Sequence, residues 1–314
     1  MPDAQPSPRI RTLHALETEV SRAVLGLVEA ATDADGVSPL SEHVTLHVRA
    51  GGDGRDVHLL AESADGEVVG YAHLDPTDPV AGSAVELVVH PGHRGSGTGR
   101  ALVAAAEAAS PDDRVRLWAH GDQPAARHLA KRLGYHEVRR LVQMRRSLWA
   151  PLPTSAPVAG VRLRAFRPGE DDRAWLDLNS RAFAHHPEQG RWTLEDLRAR
   201  QEESWFDPRG FLLAHTDDAL VGFVWTKVHG RSTEPGDAHA HEPIGEIYVV
   251  GADPSAQGRG LGRLLTVAGL HWLRSRGLAQ AMLYVDADNE PAVALYRRLG
   301  FSEWDADVMF RRGS

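Results

Sequence analysis

Two glycine-spaced loops carry the residues best suited to chemistry in this chain. One reads Arg94-Gly95-Ser96-Gly97-Thr98-Gly99, the other Gln257-Gly258-Arg259-Gly260-Leu261-Gly262, and each opens a helix-like run of Leu, Val and Ala. Glycine lets the backbone turn without a Cβ, so that freed N–H groups converge on one point and the positive end of the helix adds to them. Such a loop cradles a pyrophosphate. A single glycine-rich loop is more often a turn or a cap, but two in register are a repeat. No Lys-Ser or Lys-Thr follows the glycines, which excludes the Walker loop, and the x-G-x-G-x-G spacing fits the dinucleotide fingerprint poorly.

The elements that must position these loops also occur twice. An apolar strand ending in a proline turn precedes each loop, as ELVVHP from Glu86 and IYVVGADP from Ile247, and each loop helix is followed by a short strand and a second helix ending Leu-Gly-aromatic. Ahead of the first motif strand, residues 56 to 63 and 67 to 74 read as a hairpin turning at Asp65-Gly66, and GFLLAHT with ALVGFVWTKV repeats it around Asp217-Asp218. A first strand (RIRTL; GVRLRAF) and two amphipathic helices complete each half. In the second half these helices span roughly 170 to 184 and 193 to 202, the latter with Thr193 as N-cap and Asp196 three residues on. Each half should therefore run β, two α, three β, α, β, α, then two β. This is an α/β fold of two tandem domains, each a mixed central sheet flanked by helices. A repeat of half the chain excludes a solenoid, and the three prolines of SLWAPLPTSAPVAG mark a semi-extended linker. The expected domains are 1–147 and 161–314, joined by 148–160.

Composition agrees. A chain of 314 residues with 42% apolar residues can build two cores. A net charge of −8, with Lys and Arg interspersed among acids, argues against nucleic-acid binding. No cysteine is present, so disulfides, thiolate metal sites and a cysteine nucleophile are excluded. No stretch is long and apolar enough for a membrane span, and MPDAQPSPRIRTLHAL lacks the apolar core of a secretory signal. A cytoplasmic monomer without membrane or nucleic-acid partners is expected. Only Lys131 and Lys227 among 35 basic residues are lysine, the coding bias of a GC-rich genome.

The loops, their preceding strands and the Pro-Ala pair that opens each closing helix resemble the GNAT acetyltransferase superfamily. That resemblance implies acetyl-CoA as cosubstrate, up to one molecule per domain, its pyrophosphate on the loop and its pantetheine arm along the motif strand. The contacts it implies are Leu87, Val88, Val89 and Gly95, Ser96, Gly97, Thr98, Gly99, Arg100 in the first half. In the second they are Val250, Gly251, Ala252, the loop Gln257, Gly258, Arg259, Gly260, Leu261, Gly262, Arg263, and the helix start Asn289, Glu290, Pro291, Ala292, Val293, Ala294. The first loop has Ser96 and Thr98 where a more basic loop is expected.

Acetyl transfer to an amine needs a neutral amine, a polarised carbonyl and a protonated leaving thiolate. Aligned on Leu133-Gly134 and Leu299-Gly300, Tyr296 stands opposite Ala130; aligned on Pro91 and Pro254, Glu246 stands opposite Ser83. The resemblance makes Tyr296 the proton donor to the CoA thiolate, against the alternative of a ring packed in the core. Glu246 can accept the ammonium proton through a water, or can be a solvated edge-strand carboxylate; on spacing the two stand level. Glu86, three residues along a strand, falls on the opposite face. The first half, lacking both groups, reads as non-catalytic.

Five segments in order, HPEQGRWT, SWFDPRGFLLA, WTKVH, GEIYVVGADPSAQGRGLG and LYVDADN, are similar to the mycothiol synthase family of tandem GNAT enzymes from actinobacteria. DGVSPLSE and LVQMRRSL resemble that family's degenerate first domain. This implies acetylation of the cysteinyl amine of cysteinyl-glucosaminyl-inositol, with Glu188, Lys227, Glu246 and Tyr284 binding substrate and Glu42 reaching in from the first half. A solvated Glu42 and a surface Lys227 are the competing accounts. His239, His241 and Glu242, in an aperiodic loop from 229 to 243, read as solvated, and the chemistry needs no metal. A GNAT enzyme for another small amine or a peptide N-terminus, or a non-enzymatic acetyl-CoA sensor, stays open beside this reading.

Overall fold

A computed structural model describes residues 8–313 other than 53, 78–81, 112–113, 218 and 230–242; the side chains of 187 and 188 are also outside it. The first half runs β1 (Arg9–Leu13), α1 (Thr18–Asp35), α2 (Glu42–Ala50), β2 (Val57–Glu62), β3 (Val68–Asp75), β4 (Ala84–Val89), α3 (Thr98–Ala109), β5 (Arg116–Ala119), α4 (Pro124–Arg132) and β6 (Tyr135–Ser147). The second runs β7 (Arg162–Ala165), α5 (Asp172–Ala182), α6 (Pro187–Gly190), α7 (Leu194–Gln201), β8 (Phe211–His215), β9 (Leu220–His229), β10 (Ile244–Ala252), α8 (Leu261–Ser275), β11 (Gln280–Asp286), α9 (Glu290–Arg298) and β12 (Ser302–Arg312). Among the described residues no helix is long and apolar enough to cross a membrane.

The expected order holds except that the four-residue α6 stands between the two expected helices of the second half, and that each half closes with one long strand, β6 or β12, in place of two. Val308 and Phe310, alternating on β12, enter the core that Leu59, Leu74, Leu102 and Leu117 build. Val308 through Arg311 pair antiparallel with β5. The compact units therefore differ from the expected boundaries: one comprises 1–142, 286–288 and 305–314, the other 143–285 and 289–304. The linker belongs to the second unit, where Arg274 Nε donates to the Leu148 carbonyl at 2.7 Å and an Arg263 guanidinium N–H to the Thr154 carbonyl at 3.1 Å.

Within unit 1, β1 to β4 pair antiparallel in sequence order and β4 pairs parallel with β5. One core lies against α3; a second, on Leu60, Tyr71 and Val88, is covered by the apolar faces of α1 and α2. Unit 2 repeats the plan, with β7 to β10 antiparallel and β10 parallel with β11. Its core is aromatic: Trp225 stacks on Phe211 with centroids 4.4 Å apart, and Trp175 meets both edge-on, each such pair adding about 1 kcal/mol beyond burial. Thr193 and Asp196 form the expected capping box of α7, each side chain accepting the other residue's backbone N–H.

Candidate active site

The glycines of both loops do what their spacing implies. Gly95 and Gly97 have φ of 78° and 94°, Gly258 and Gly260 of 76° and 85°, conformations that cost an L-residue about 1–2 kcal/mol. A Cβ at any of these four would meet nothing within 4 Å, so open space adjoins the loop. Gly97 and Gly260 are the N-caps of α3 and α8, and neither helix start has a side-chain cap. Its first N–H groups are thus available to an anion, and the residues fit a pyrophosphate.

The neighbouring strands part where a pantetheine arm would lie. Parallel pairing of β4 with β5 covers Ala84 to Glu86, and that of β10 with β11 covers Gly245 to Ile247. Among the described residues it does not continue over Leu87–Val89 or over Val250–Ala252, the stretches expected to contact the cosubstrate. Backbone amides along a parted edge can pair with an extended amide chain as a further strand would. At the far side of the loop, Asn289 caps α9, its side chain accepting from Ala292 N–H at 3.2 Å.

Three of the expected substrate residues lie on one face of unit 2. Lys227 on β9 is the direct cross-strand partner of Glu246 on β10, which pairs in parallel with Met282 on β11; Tyr284, two residues further, returns to the same face. Glu246 is buried on an inner strand and so is no edge-strand carboxylate; its Oε2 lies 2.6 Å from His229 Nε2. Lys227 is buried too, its ammonium 4.6 Å from the Trp205 ring centroid and 5.4 Å from that of Tyr248. These rings hold the cation at the rim of the aromatic core by about 1–2 kcal/mol, and a surface lysine is excluded. Tyr284 Oη accepts from Gln143 Nε2 at 2.6 Å. Tyr296 comes from α9, buried with its ring centroid 6.0 Å from that of Phe301. Burial pushes its phenol up to about 12, so it carries its proton at neutral pH. Glu42 opens α2 in unit 1. Glu188 falls in α6, its side chain outside the described residues, as are His239, His241 and Glu242.

Alternation along β9 places His229 on the Lys227 face, a signal that grouping it with the following loop obscures. Trp205, Gln143 and Arg200, which donates from Nε to Tyr248 Oη at 2.9 Å, carry no such signal.

Strand register changes the comparison of the halves. The β9–β10 ladder shifts by one residue between Ile247 and Val249, leaving Tyr248 as a bulge, whereas β3–β4 runs without one. The position matching Glu246 is therefore Ala84, which faces Asp75 as Glu246 faces Lys227, and not Ser83. Glu86, two residues on, shares the face of Ala84, contrary to the expected opposite face. It is occupied there: Oε2 accepts the Ser41 N–H at 2.6 Å and lies 3.2 Å from His120, which is 3.1 Å from Asp307. Burial alone would raise the Glu86 carboxyl, but His120 and the Ser41 N–H outweigh it and hold it down to about 2. Burial likewise opposes charge on His120, yet Glu86 and Asp307 raise it to about 10. Glu86 is consequently a weak base.

The geometry of loop, parted strands and closing helix is that of GNAT acetyltransferases, in two copies. The family models agree, an acetyltransferase (GNAT) domain matching residues 54–137 and the acetyltransferase (GNAT) family matching 173–301. The tandem GNAT protein of the clavulanic acid biosynthesis pathway shares the fold, with a TM-score of 0.69 at 20% identity over 98% of this chain and 99% of that one. The mycothiol acetyltransferase of Acidothermus cellulolyticus is 57% identical over 92% of this chain and 90% of its own length. That of Salinispora arenicola is 54% identical over 98% and 97%. The chain belongs to the mycothiol acetyltransferase family.

Proposed function

We propose that the chain transfers the acetyl group of acetyl-CoA to the cysteinyl amine of cysteinyl-glucosaminyl-inositol, the step that completes mycothiol, and that unit 2 carries the reaction. The observation that supports this most is the shared face of Lys227, Glu246 and Tyr284 beside the parted strands. A substrate with one ammonium and many hydroxyls calls for a carboxylate and hydrogen-bonding groups where the acetyl group arrives. Glu246 takes the ammonium proton, through a water, as the amine nitrogen bonds to the thioester carbonyl carbon. As the carbon–sulfur bond breaks, Tyr296 gives its proton to the departing thiolate, and the second proton that the nitrogen sheds on becoming an amide returns the phenolate to phenol. Lys227 and Tyr284 bind substrate hydroxyls or amide groups, and Glu188 adds a second carboxylate.

Unit 1 is proposed to hold a second acetyl-CoA without turning it over. Its loop keeps the open, positive-φ glycines, but Ala130 stands in place of Tyr296 and Glu86 is engaged by His120.

Tyr296→Phe tests the assignment. A donor acting on the leaving thiolate works in the transition state, so kcat should fall by about 10²-fold with KM for the amine nearly unchanged. Single-turnover acetyl transfer reads the chemical step; a rate equal to wild type would remove Tyr296 from the mechanism.

A further inference from the structure

Away from the GNAT site, unit 1 gathers an unusual set of side chains. His47 from α2, Asp56 from the segment before β2 and His73 from β3 each present one ligand atom, and the three atoms lie within 4.8 Å of one another. His47 Nδ1 is 2.5 Å and His73 Nε2 3.0 Å from the same carboxylate oxygen, Asp56 Oδ2. Asp56 and His73 are almost wholly buried, while the His47 side chain keeps 24% of its surface exposed. The group therefore has a buried floor and one side open to solvent. His43 precedes His47 by one helical turn, with ring centroids 4.3 Å apart, the i, i+4 spacing by which one helix face presents two imidazoles to an ion.

We propose that His47, Asp56 and His73 form a binding site for a divalent transition-metal ion of the Zn²⁺ class. Two imidazole nitrogens and one carboxylate oxygen are the donors such ions select, whereas Mg²⁺ and Ca²⁺ prefer oxygen alone. With bonds of about 2.0–2.2 Å to a tetrahedral centre, ligand atoms stand about 3.3–3.5 Å apart. The observed separations around Asp56 Oδ2 need to widen by less than about 1 Å. The fourth position lies open on the His47 side, for His43 or a water. Both histidines bind as neutral imidazoles, so binding releases a proton from any that is charged. The carboxylate is already ionised: although burial opposes charge, hydrogen bonds from His47 and His73 hold its pKa well below the usual range. Behind the group, the His58 ring lies 5.6 Å from that of His73, and its Nδ1 is 2.8 Å from Tyr71 Oη. No step of acetyl transfer runs through this ion. It joins α2 to β3, so its contribution is to the stability of unit 1.

The test uses the full chain, tag-free, stripped with chelator and dialysed against buffered Zn²⁺ or Co²⁺. Bound metal is counted by mass spectrometry and the Co²⁺ ligand field read by visible absorption. About one ion per chain is expected, with the intense absorption of four-coordinate Co²⁺ and a Zn²⁺-dependent rise in Tm. His47→Ala, at the open rim and therefore tolerated by the fold, should weaken binding by at least about tenfold, as should His73→Gln. His239→Ala combined with His241→Ala, in the segment outside the described residues, should leave it unchanged. Absence of a Co²⁺ spectrum, or equal binding by His47→Ala and wild type, would reduce the cluster to a hydrogen-bonded His–Asp–His network.

Discussion

Gly262→Asp is expected to abolish acetyl transfer, while Gly99→Asp is expected to leave most of it. Gly262 lies in the first turn of α8 with ordinary helical φ, and a Cβ there meets only Leu295 Cδ2 at 3.6 Å, normal van der Waals contact. An aspartate is therefore accommodated, and a carboxylate in a first helical turn even favours the helix by about 0.3–1 kcal/mol. It places negative charge at the N–H groups that the pyrophosphate needs. Gly99 is the counterpart in unit 1, where an added Cβ needs a small give from the flexible end of Leu129 at 3.2 Å. Loss of activity by more than about 10³-fold in the first variant and less than about threefold in the second is expected if unit 2 alone does chemistry. Circular dichroism and Tm establish that both variants fold. Equal losses would mean that the two units share the reaction. The helical position makes this a better test than Gly260→Asp or Gly97→Asp, where φ of 85° and 94° strains any side chain whether or not a ligand binds.

Glu246→Gln should cost about 10³-fold in kcat/KM at neutral pH and recover part of it in alkaline solution. The substrate is an α-amine with a free pKa near 8, mostly protonated at pH 7 and neutral above about pH 9. Below its pKa the enzyme must remove a proton, which the amide cannot do; above it the solvent has already done so. The wild-type enzyme should rise with pH along the same limb from a much higher floor. His229, 2.6 Å from the carboxylate, is positioned to carry the proton onward, and in the variant it faces an amide. A loss equal at every pH would make Glu246 a binding residue, with the base elsewhere.

How far the site can be read from sequence depends on the kind of information each part needs. The loops were legible because positive φ at alternate residues calls for glycine, and the α7 start because a capping box has a local spelling in Thr193 and Asp196. Lys227, Glu246 and Tyr284 were reached through motif resemblance, and the cross-strand register brings them to one face. The misreadings are non-local. Tyr248 bulges from β10 with no compositional mark, so a gapless alignment put Ser83 where Ala84 belongs and turned Glu86 to the wrong face. The pairing of β12 with β5 joins residues almost two hundred positions apart, beyond any repeat or periodicity. The His120–Glu86–Asp307 group depends on that pairing, because Asp307 is carried on β12.

The central claim is that the chain acetylates one particular amine. Purified protein, acetyl-CoA and cysteinyl-glucosaminyl-inositol, run beside cysteine, glucosamine and a short peptide, test it by release of free CoA and by mass spectrometry of the product. The claim requires one acetyl group on the cysteinyl nitrogen of the pseudodisaccharide, with kcat/KM at least about 10²-fold above that for each simpler amine, since the pocket groups would be left unpaired by the fragments. Comparable or faster turnover of a simple amine or the peptide, or acetyl-CoA binding with no turnover of the pseudodisaccharide, would contradict it.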